Sequence, residues 1–491
     1  MSTHLQDRAD AAARAGHRDG GVDVLDSLAG LDDGHRPHGN PLAAAWRFLI
    51  SMRTGLLLIL ALGFLTFAGT VLMQAPAEAV GNVDAYQEWY SNGPQAKYGG
   101  WAPVLSALGL FRVFSTWYFL ALFGLLAVSI LACSVNRAPR LWRVATRPRT
   151  SMSETFFSHA PLKAAFDLPL DADAAADRVR TGLRGQRFRV LAPDAPHGAD
   201  VYGDRFRWGP FGTVVAHLSF LVIMVGFVVS AAFGFRVESF IAPIGTPVAV
   251  GHGTGLTVVA HSFNDSYYDN GTPRDYVSDV SLLADGVEVA RHNVRVNDPL
   301  IHDDVWFHQG FFGIGADIRV TGGGQELYAQ MVPLQWQSSD GRQSIGQFAI
   351  PGRGVTAYVI QAASGQTVAD LPPGTVAIEV HRDGVQQPDL KVVEQGRSVE
   401  VDGLTYTFER NRQYTGLTVK RDPGSIFVWV GSILLILGSC LVFFVPHRRI
   451  WVRVRPNADG TSHVMVAAPL KRDPAFEPVF RHVVHRIQAE A

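Results

Sequence analysis

Cysteine is scarce in this 491-residue chain, which has only Cys133 and Cys440. That excludes a disulfide scaffold. No C-x-x-C occurs, which removes a thioredoxin-like dithiol and a paired-thiolate zinc site. No C-x-x-C-H occurs either, so the chain is not itself a c-type cytochrome. A surplus of one charge is also missing. Lys plus Arg number 43 and Asp plus Glu 44, a formal net charge of −1. Nothing here suggests a nucleic-acid binder, which shows a basic excess. Charged residues make up 18%, below the roughly 25% of ordinary soluble domains. A hydrophobic share of 47% rules out wholesale disorder. The mean hydropathy of +0.11 is an average over unlike parts.

Four charge-free apolar runs lie within it: about Thr54–Met73, Thr116–Val135, Phe211–Phe233 and Ser425–Pro446. Each has the roughly 20 residues that a helix needs to span a bilayer core. The first starts too late and runs too long for a cleaved signal peptide. Arginines set the expected orientation. Arg47 and Arg53 precede the first run; Arg137, Arg140, Arg143, Arg147 and Arg149 follow the second. Arg205 and Arg207 precede the third, and Arg448, Arg449, Arg453 and Arg455 follow the fourth. Both termini and the loop 136–210 are therefore expected in the cytosol, with 74–115 and 234–424 outside.

The expected organisation runs in seven parts. Residues 1–46 read as a disordered cytosolic tail. Residues 47–135 hold the first two membrane helices (54–73 and 116–135) and the outer loop 74–115. A small cytosolic α+β loop follows at 136–210, with "LKAAFDL", "RFRVLA" and "ADVYG" as strands and Asp171–Leu183 as a helix. The third membrane helix is 211–233. Residues 234–424 alternate in a strand-like way in "GLTVVAHSF", "DYVSDVSLLADG", "VEVARHNVRV" and "GLTYTFER". Asp285-Gly286 is a hairpin-turn candidate, and a β-sandwich-like extracytoplasmic domain is expected. The fourth helix is 425–446. The cytosolic tail 447–491 offers a hairpin and an amphipathic stretch, Phe476–Ile487.

Several local patterns point further. They are "RFLISMRTGLLLILAL" into the first helix, "LGLFRVFSTWYFLALF" into the second and "YGDRFRWGPFGTVVAHLSFLVIMVG" into the third. The outer segment adds "VNDPLIHDDVWFHQGFFG", and the fourth helix "DPGSIFVWVGSILLILGSCLVFFVPHRRIWVRV". In order and spacing, over about residues 45–455, the chain resembles the ResB (also called CcsB) family of System II cytochrome c biogenesis. The resemblance implies a bacterial plasma-membrane subunit that works with a CcsA/ResC-type membrane protein. Together the two would move haem b outward and support its covalent attachment to apocytochrome c. No W-x-W-D-like cluster is present, so the chain looks like the ResB half alone. No general acid or nucleophile stands out, so it is not expected to be an enzyme by itself. At most it would form part of a haem–apocytochrome c synthetase complex. The competing reading is a membrane-anchored sensor or receptor with an outer ligand-binding domain and no haem role.

His217 is the one histidine within a membrane run. Ionisable side chains at that depth are rare and usually functional, and neutral imidazole is a common haem-iron ligand. The resemblance places a haem-binding membrane histidine on this helix; hydrogen-bonded structural glue is the other reading. Gly226 falls about 180° around the helix from His217. Gly226, Ser230 and Gly234 form a small-residue row suited to close helix packing. In the outer segment, an extended strand would put His302, Asp304, Trp306 and His308 on one face. That face suits a haem or apocytochrome contact, or is a polar strand surface. Asn297, Pro299, Gln309 and Gly310 are expected to shape a turn and a strand. Cys133 and Cys440 read as small apolar residues.

Overall fold

The computed structural model describes residues 40–76, 79–80, 83–192, 199–270, 272–350, 352–364, 366–382, 389–469 and 473–489. Residues 1–39 of the expected tail lie outside the described residues. The end of that tail is ordered, contrary to expectation: Pro41–Leu49 is a helix (α1). Asn40 explains it, because its side-chain oxygen accepts from the Leu42 N–H at 3.0 Å and Pro41 occupies the first turn.

Along the chain follow α2 (Met52–Val71), α3 (Val83–Asn92), α4 (Pro94–Tyr98), α5 (Ala102–Ala107), α6 (Trp117–Thr146) and α7 (Glu154–His159). Then come β1 (Leu162–Leu168), α8 (Ala172–Gly185), β2 (Arg189–Leu191), β3 (Ala199–Arg205) and α9 (Gly212–Phe233). A run of strands leads to α10 (Ser425–Phe444), and the chain ends in β19 (Arg448–Pro456), β20 (Ser462–Ala468) and α11 (Phe476–Ala489). Four helices are long and apolar enough to cross a membrane: α2, α6, α9 with its preceding turn, and α10. The second outruns its apolar stretch, which was expected to stop at 135. It continues through Arg137, Arg140 and Arg143 because arginine, leucine and alanine are good helix formers, and Pro139 removes one backbone bond without ending it.

The chain divides into two compact units, one ending at Leu221 and resuming at Leu434, the other spanning Val222–Ile433. In the first, the segment between α2 and α6 is a folded helical cap rather than a plain loop. Phe111 is wholly buried at its centre, within 5.6–6.2 Å of the rings of Trp89, Tyr90 and Tyr98. The Gln74 amide donates to the Leu110 carbonyl at 2.9 Å and accepts from the Val113 N–H at 3.2 Å.

The same unit contains an α+β domain whose parts the sequence kept separate. The expected loop 136–210 and tail 447–491 are one folded body. Their strands form a single antiparallel sheet in the order β1-β20-β19-β3-β2. Leu162–Leu168 pairs residue for residue with Ser462–Ala468. α8 begins at Asp171, whose carboxylate caps the Ala174 N–H at 2.7 Å. The apolar stripes of α8 (Ala175, Ala176, Val179, Leu183) and α11 (Phe480, Val483, Ile487) share one core with Val201, Ile450, Val452 and Val466 of the sheet. At the sheet end leading into α9 and out of α10 lies a buried polar knot. Arg189 forks onto both Asp204 carboxylate oxygens at 2.8 and 2.7 Å, and His447 Nε2 lies 3.2 Å from the same carboxylate. Burial would raise the Asp204 carboxyl. Hydrogen bonds from His447 and Arg189, with their charges, hold it below the usual carboxylate range instead. Burial lowers His447, against the pull of Asp204.

The second unit is mainly β. Its strands are β4 (Phe235–Pro243), β5 (Pro247–Ala249), β6 (Leu256–Tyr267), β7 (Pro273–Ala284), β8 (Val287–Val294), β9 (Leu300–His302), β10 (Val305–Gly322), β11 (Gln325–Pro333) and β12 (Trp336–Gln337). Then follow β13 (Gln343–Ile350), β14 (Val355–Ala362), β15 (Thr375–Arg382), β16 (Asp389–Glu394), β17 (Arg397–Val401) and β18 (Leu404–Arg421). The β7–β8 turn is the expected Asp285-Gly286, both left-handed at φ 49° and 81°. The sandwich, however, has two cores rather than one. β10 and β18, 18 residues each, pair along nearly their whole length. Near Val305 they pack with β4 and β6–β8 around Phe307, Val258, Val280 and Leu417. Near Gly322 they pack with β13–β16 around Val320, Val359, Ile378 and Phe408. Length is the reason: an 18-residue strand covers about 60 Å at 3.3 Å per residue, more than one sandwich layer needs.

Candidate functional site

His217 stands in the second turn of α9, five residues past Gly212. One side of α9 is committed to α10. A Cβ on Gly212 would strike the Gly438 carbonyl and Leu441, and a Cβ on Gly438 would strike the backbone of Ala216. Within the second unit, Gly226 and Ser230 lie equally close against Gly424. The small-residue row is thus a helix seam. His217, about 140° around the helix from Gly212, is off it.

The turn that opens α9 meets α6. Trp142 of α6 packs on Phe211 at the start of α9, ring centroids 6.4 Å apart, and on Trp208 at 5.4 Å. From that contact Arg137 lies five residues back, about 7.5 Å, and His217 six residues on, about 9 Å. The two therefore sit at one depth, and the Arg137 charge acts on the imidazole. Among the described residues, no hydrogen bond to the imidazole and no ion pair to Arg137 is formed. The imidazole is half-buried and, among the described residues, makes none of the interhelical hydrogen bonds that a glue role requires.

In the β-rich unit the four candidate positions do not share a face. Asp303 and Asp304 are both left-handed, at φ 46° and 62°, and turn β9 tightly into β10. His302 is then opposite Val305 on the core-facing side, while Trp306 is opposite Ile301. The extended-strand reading failed because Asp tolerates the left-handed region that a two-residue turn demands. Trp306 and His308 do stand together, their rings stacked at 5.8 Å and 15°. Lys420 of β18 is directly opposite Trp306, with its ammonium 5.5 Å from the indole centroid, and Arg236 of β4 is opposite Lys420. His308 Nε2 is buried and has no hydrogen-bond partner among the described residues. Burial lowers the His308 imidazole, aided by Lys420 and then Arg236, so it is neutral at pH 7. Beside this row His252 lies flat on Phe235 at 4.4 Å.

The remaining candidates have structural explanations. Another histidine of the outer segment, His261, bonds the Ser281 hydroxyl at 2.8 Å. Asn297, at φ 66°, makes the turn between β8 and β9. Gln309 accepts from Ser278 at 2.6 Å and from Thr415 at 3.2 Å, knitting β7, β10 and β18 at the bulge where Gly310 sits. Cys133 lies 3.8 Å from the Leu49 carbonyl, which Ser129 also bonds at 2.7 Å. Sequence reading did not find Arg137, Arg236 or Lys420 as parts of a site, since each reaches it across elements. The helix-end spacing of Arg137 relative to Trp142 was the only linear sign.

The fold and the helix-borne histidine define a class: a membrane protein of four spanning helices carrying a large mainly-β domain. The chain belongs to the ResB-like family, which it matches over residues 52–338 and 349–477. Among curated relatives it is 26% identical over 454 residues to "Cytochrome c biogenesis protein CcsB" of Gloeobacter violaceus, covering 86% of this chain and 89% of that one. It is 28% identical over 436 residues to the protein of the same name from a Synechococcus strain, covering 82% of each. It is 26% identical over 419 residues to "Cytochrome c biogenesis protein CCS1, chloroplastic" of Oryza sativa, covering 80% of this chain and 68% of that one. A solved "Cytochrome c Heme Lyase CcmF" is similar at a TM-score of 0.22 and 11% identity, covering 71% of this chain and 44% of that one, too slight to bear on the fold.

Proposed function

We propose that this chain is the ResB-type subunit of a cytochrome c assembly machine, with a CcsA/ResC-type membrane protein as its partner and haem b as its cargo. The observation that carries this reading is His217, an open imidazole on a membrane-spanning helix of a ResB-like chain. Its role is to ligate iron in passage, so that haem leaves the cytosolic interface held on nitrogen rather than dissolved in lipid. The α+β domain lies on the cytosolic side and the β-rich domain outside. Two features support that topology. The arginines cluster at the α+β ends of the helices. The α+β sheet also draws strands from both 136–210 and 447–491, so the pair α9 and α10 leaves and returns on one side.

Trp306 and the neutral His308 would meet the haem edge or the apocytochrome segment outside, with Lys420 and Arg236 supplying charge for carboxylates. The chain contributes positioning, and thioether formation belongs to the assembled complex. A strain lacking the gene should lose covalent haem staining of its c-type cytochromes; intact staining would sink the reading and favour a sensor. In the complex purified with its partner, His217→Ala should abolish the bound haem absorption. An unchanged spectrum would exclude His217 as ligand.

A further inference from the structure

We propose that Arg137 is the carboxylate anchor of the haem site, and that it fixes the rotation of the porphyrin about the iron–nitrogen bond. This rests on the reading of His217 as iron ligand. Haem carries two propionates on one edge and two vinyl groups on another. An imidazole alone holds the iron but leaves the ring free to turn about the iron–nitrogen bond. A second, charged contact at the same depth removes that freedom.

Arg137 meets the requirement in three ways. It is level with His217, as the Trp142–Phe211 contact dictates. It is the first charged residue at the end of the α6 apolar stretch, where a long side chain extends to the headgroup boundary. It has no ion-pair partner among the described residues, whereas Arg189, Arg448 and Arg453 of the neighbouring α+β domain each hold a carboxylate. Arginine is also the side chain whose planar fork matches a carboxylate.

The approach is built from the same chemistry. A shallow cleft of about 560 Å³ at the end of α6 is lined by Pro139, Trp142, Arg143, Thr146 and Arg147. Arg143 and Arg147 likewise form no ion pair among the described residues. Propionates would pass from these guanidiniums to Arg137 while the ring slides along Trp142. Once iron meets His217, the propionates stay on Arg137. The vinyl edge, which must later accept two thiols, then points away from α6.

The test titrates the full chain, in lipid nanodiscs, with haemin and with haemin dimethyl ester, whose carboxylates are capped. Wild type should bind haemin about tenfold more tightly than the ester, the scale of one charge-assisted contact. Arg137→Gln should lower haemin affinity about tenfold, to the ester's level, without moving the Soret band or the ester affinity. Arg137→Lys should restore most of it. Haemin binding to Arg137→Gln at wild-type strength would overturn the anchor, as would equal losses for both porphyrins, which mark a fold effect. His217→Ala judges the underlying reading separately. It should erase the ligand signature with both porphyrins, and a retained signature there defeats the ligand reading whatever Arg137 does.

Discussion

The two extramembrane domains solve the same problem with different materials. The β-rich domain is one continuous stretch of chain, and its cores are apolar: Phe307, Leu417, Val320 and Ile378 are all buried among aliphatic neighbours. Its most enclosed carboxylate, Asp317, is bonded by Arg410 and Arg412, and Arg410 is largely in water. The α+β domain is assembled from two stretches some 240 residues apart, since Arg448 pairs with Arg205. It adds buried ion pairs to an apolar core. Asp204 is 1% exposed beneath Arg189 and His447, and Asp200 is bonded by Arg453 and Ser151. A contiguous chain needs little beyond burial to find its register. A domain whose halves are separated in sequence by two membrane helices and a whole second domain gains from directional contacts that one alignment alone satisfies.

This contrast can be broken at either end. The largest effect is expected from Phe307→Ala in the β-rich core, about 4 kcal/mol by cavity formation. Hydrogen exchange should show β6, β10 and β18 opening while the α+β strands keep their protection; loss of protection in both would refute separate cores. Asp204→Asn should cost about 3 kcal/mol, because it strands a partly buried guanidinium, and should loosen only β2, β3 and β19. Acid probes the same knot. The folded pKa of His447 lies below its ordinary 6.5, so the domain gives up stability as pH falls beneath 6.5. Asp204, held below 3.8, adds its own loss only in stronger acid. A melting temperature of the α+β domain that stays flat from pH 7 to pH 5 would remove His447 from the account. The smallest effect belongs to Arg319, whose ion pairs with Glu326 and Glu409 are all about half exposed. Arg319→Ala should change stability by less than about 1 kcal/mol.

How much of this was legible in sequence follows the same division. The four spanning runs were plain, since hydropathy acts over a single helix. The strands of the β-rich domain were readable from alternation, and Asp285-Gly286 from turn chemistry. The two cores were not, because nothing in β10 or β18 says where one sandwich ends and the next begins. The β1–β20 pairing was invisible, as any register between distant segments is to a local pattern. At the candidate site His217 stood out by its setting alone. Trp306 and His308 were found as a pair, but His302 was misplaced because the Asp303-Asp304 turn was read as strand. Arg137, Lys420 and Arg236 needed the helix contact and the sheet register before they could be seen.

The sheet order β1-β20-β19-β3-β2 also sets a timetable. The strands from the earlier stretch, β1 and β3, are not neighbours; β20 and β19 fill the space between them. Until the ribosome has released the last fifty or so residues, the early strands flank a gap. That gap closes only if the last two helices have each crossed the membrane, so that residue 447 emerges where residue 205 is waiting. A chain inserted with one helix skipped delivers its final hairpin to the wrong compartment and leaves two raw strand edges behind. Completion of this small sheet thus depends on everything between having been threaded correctly.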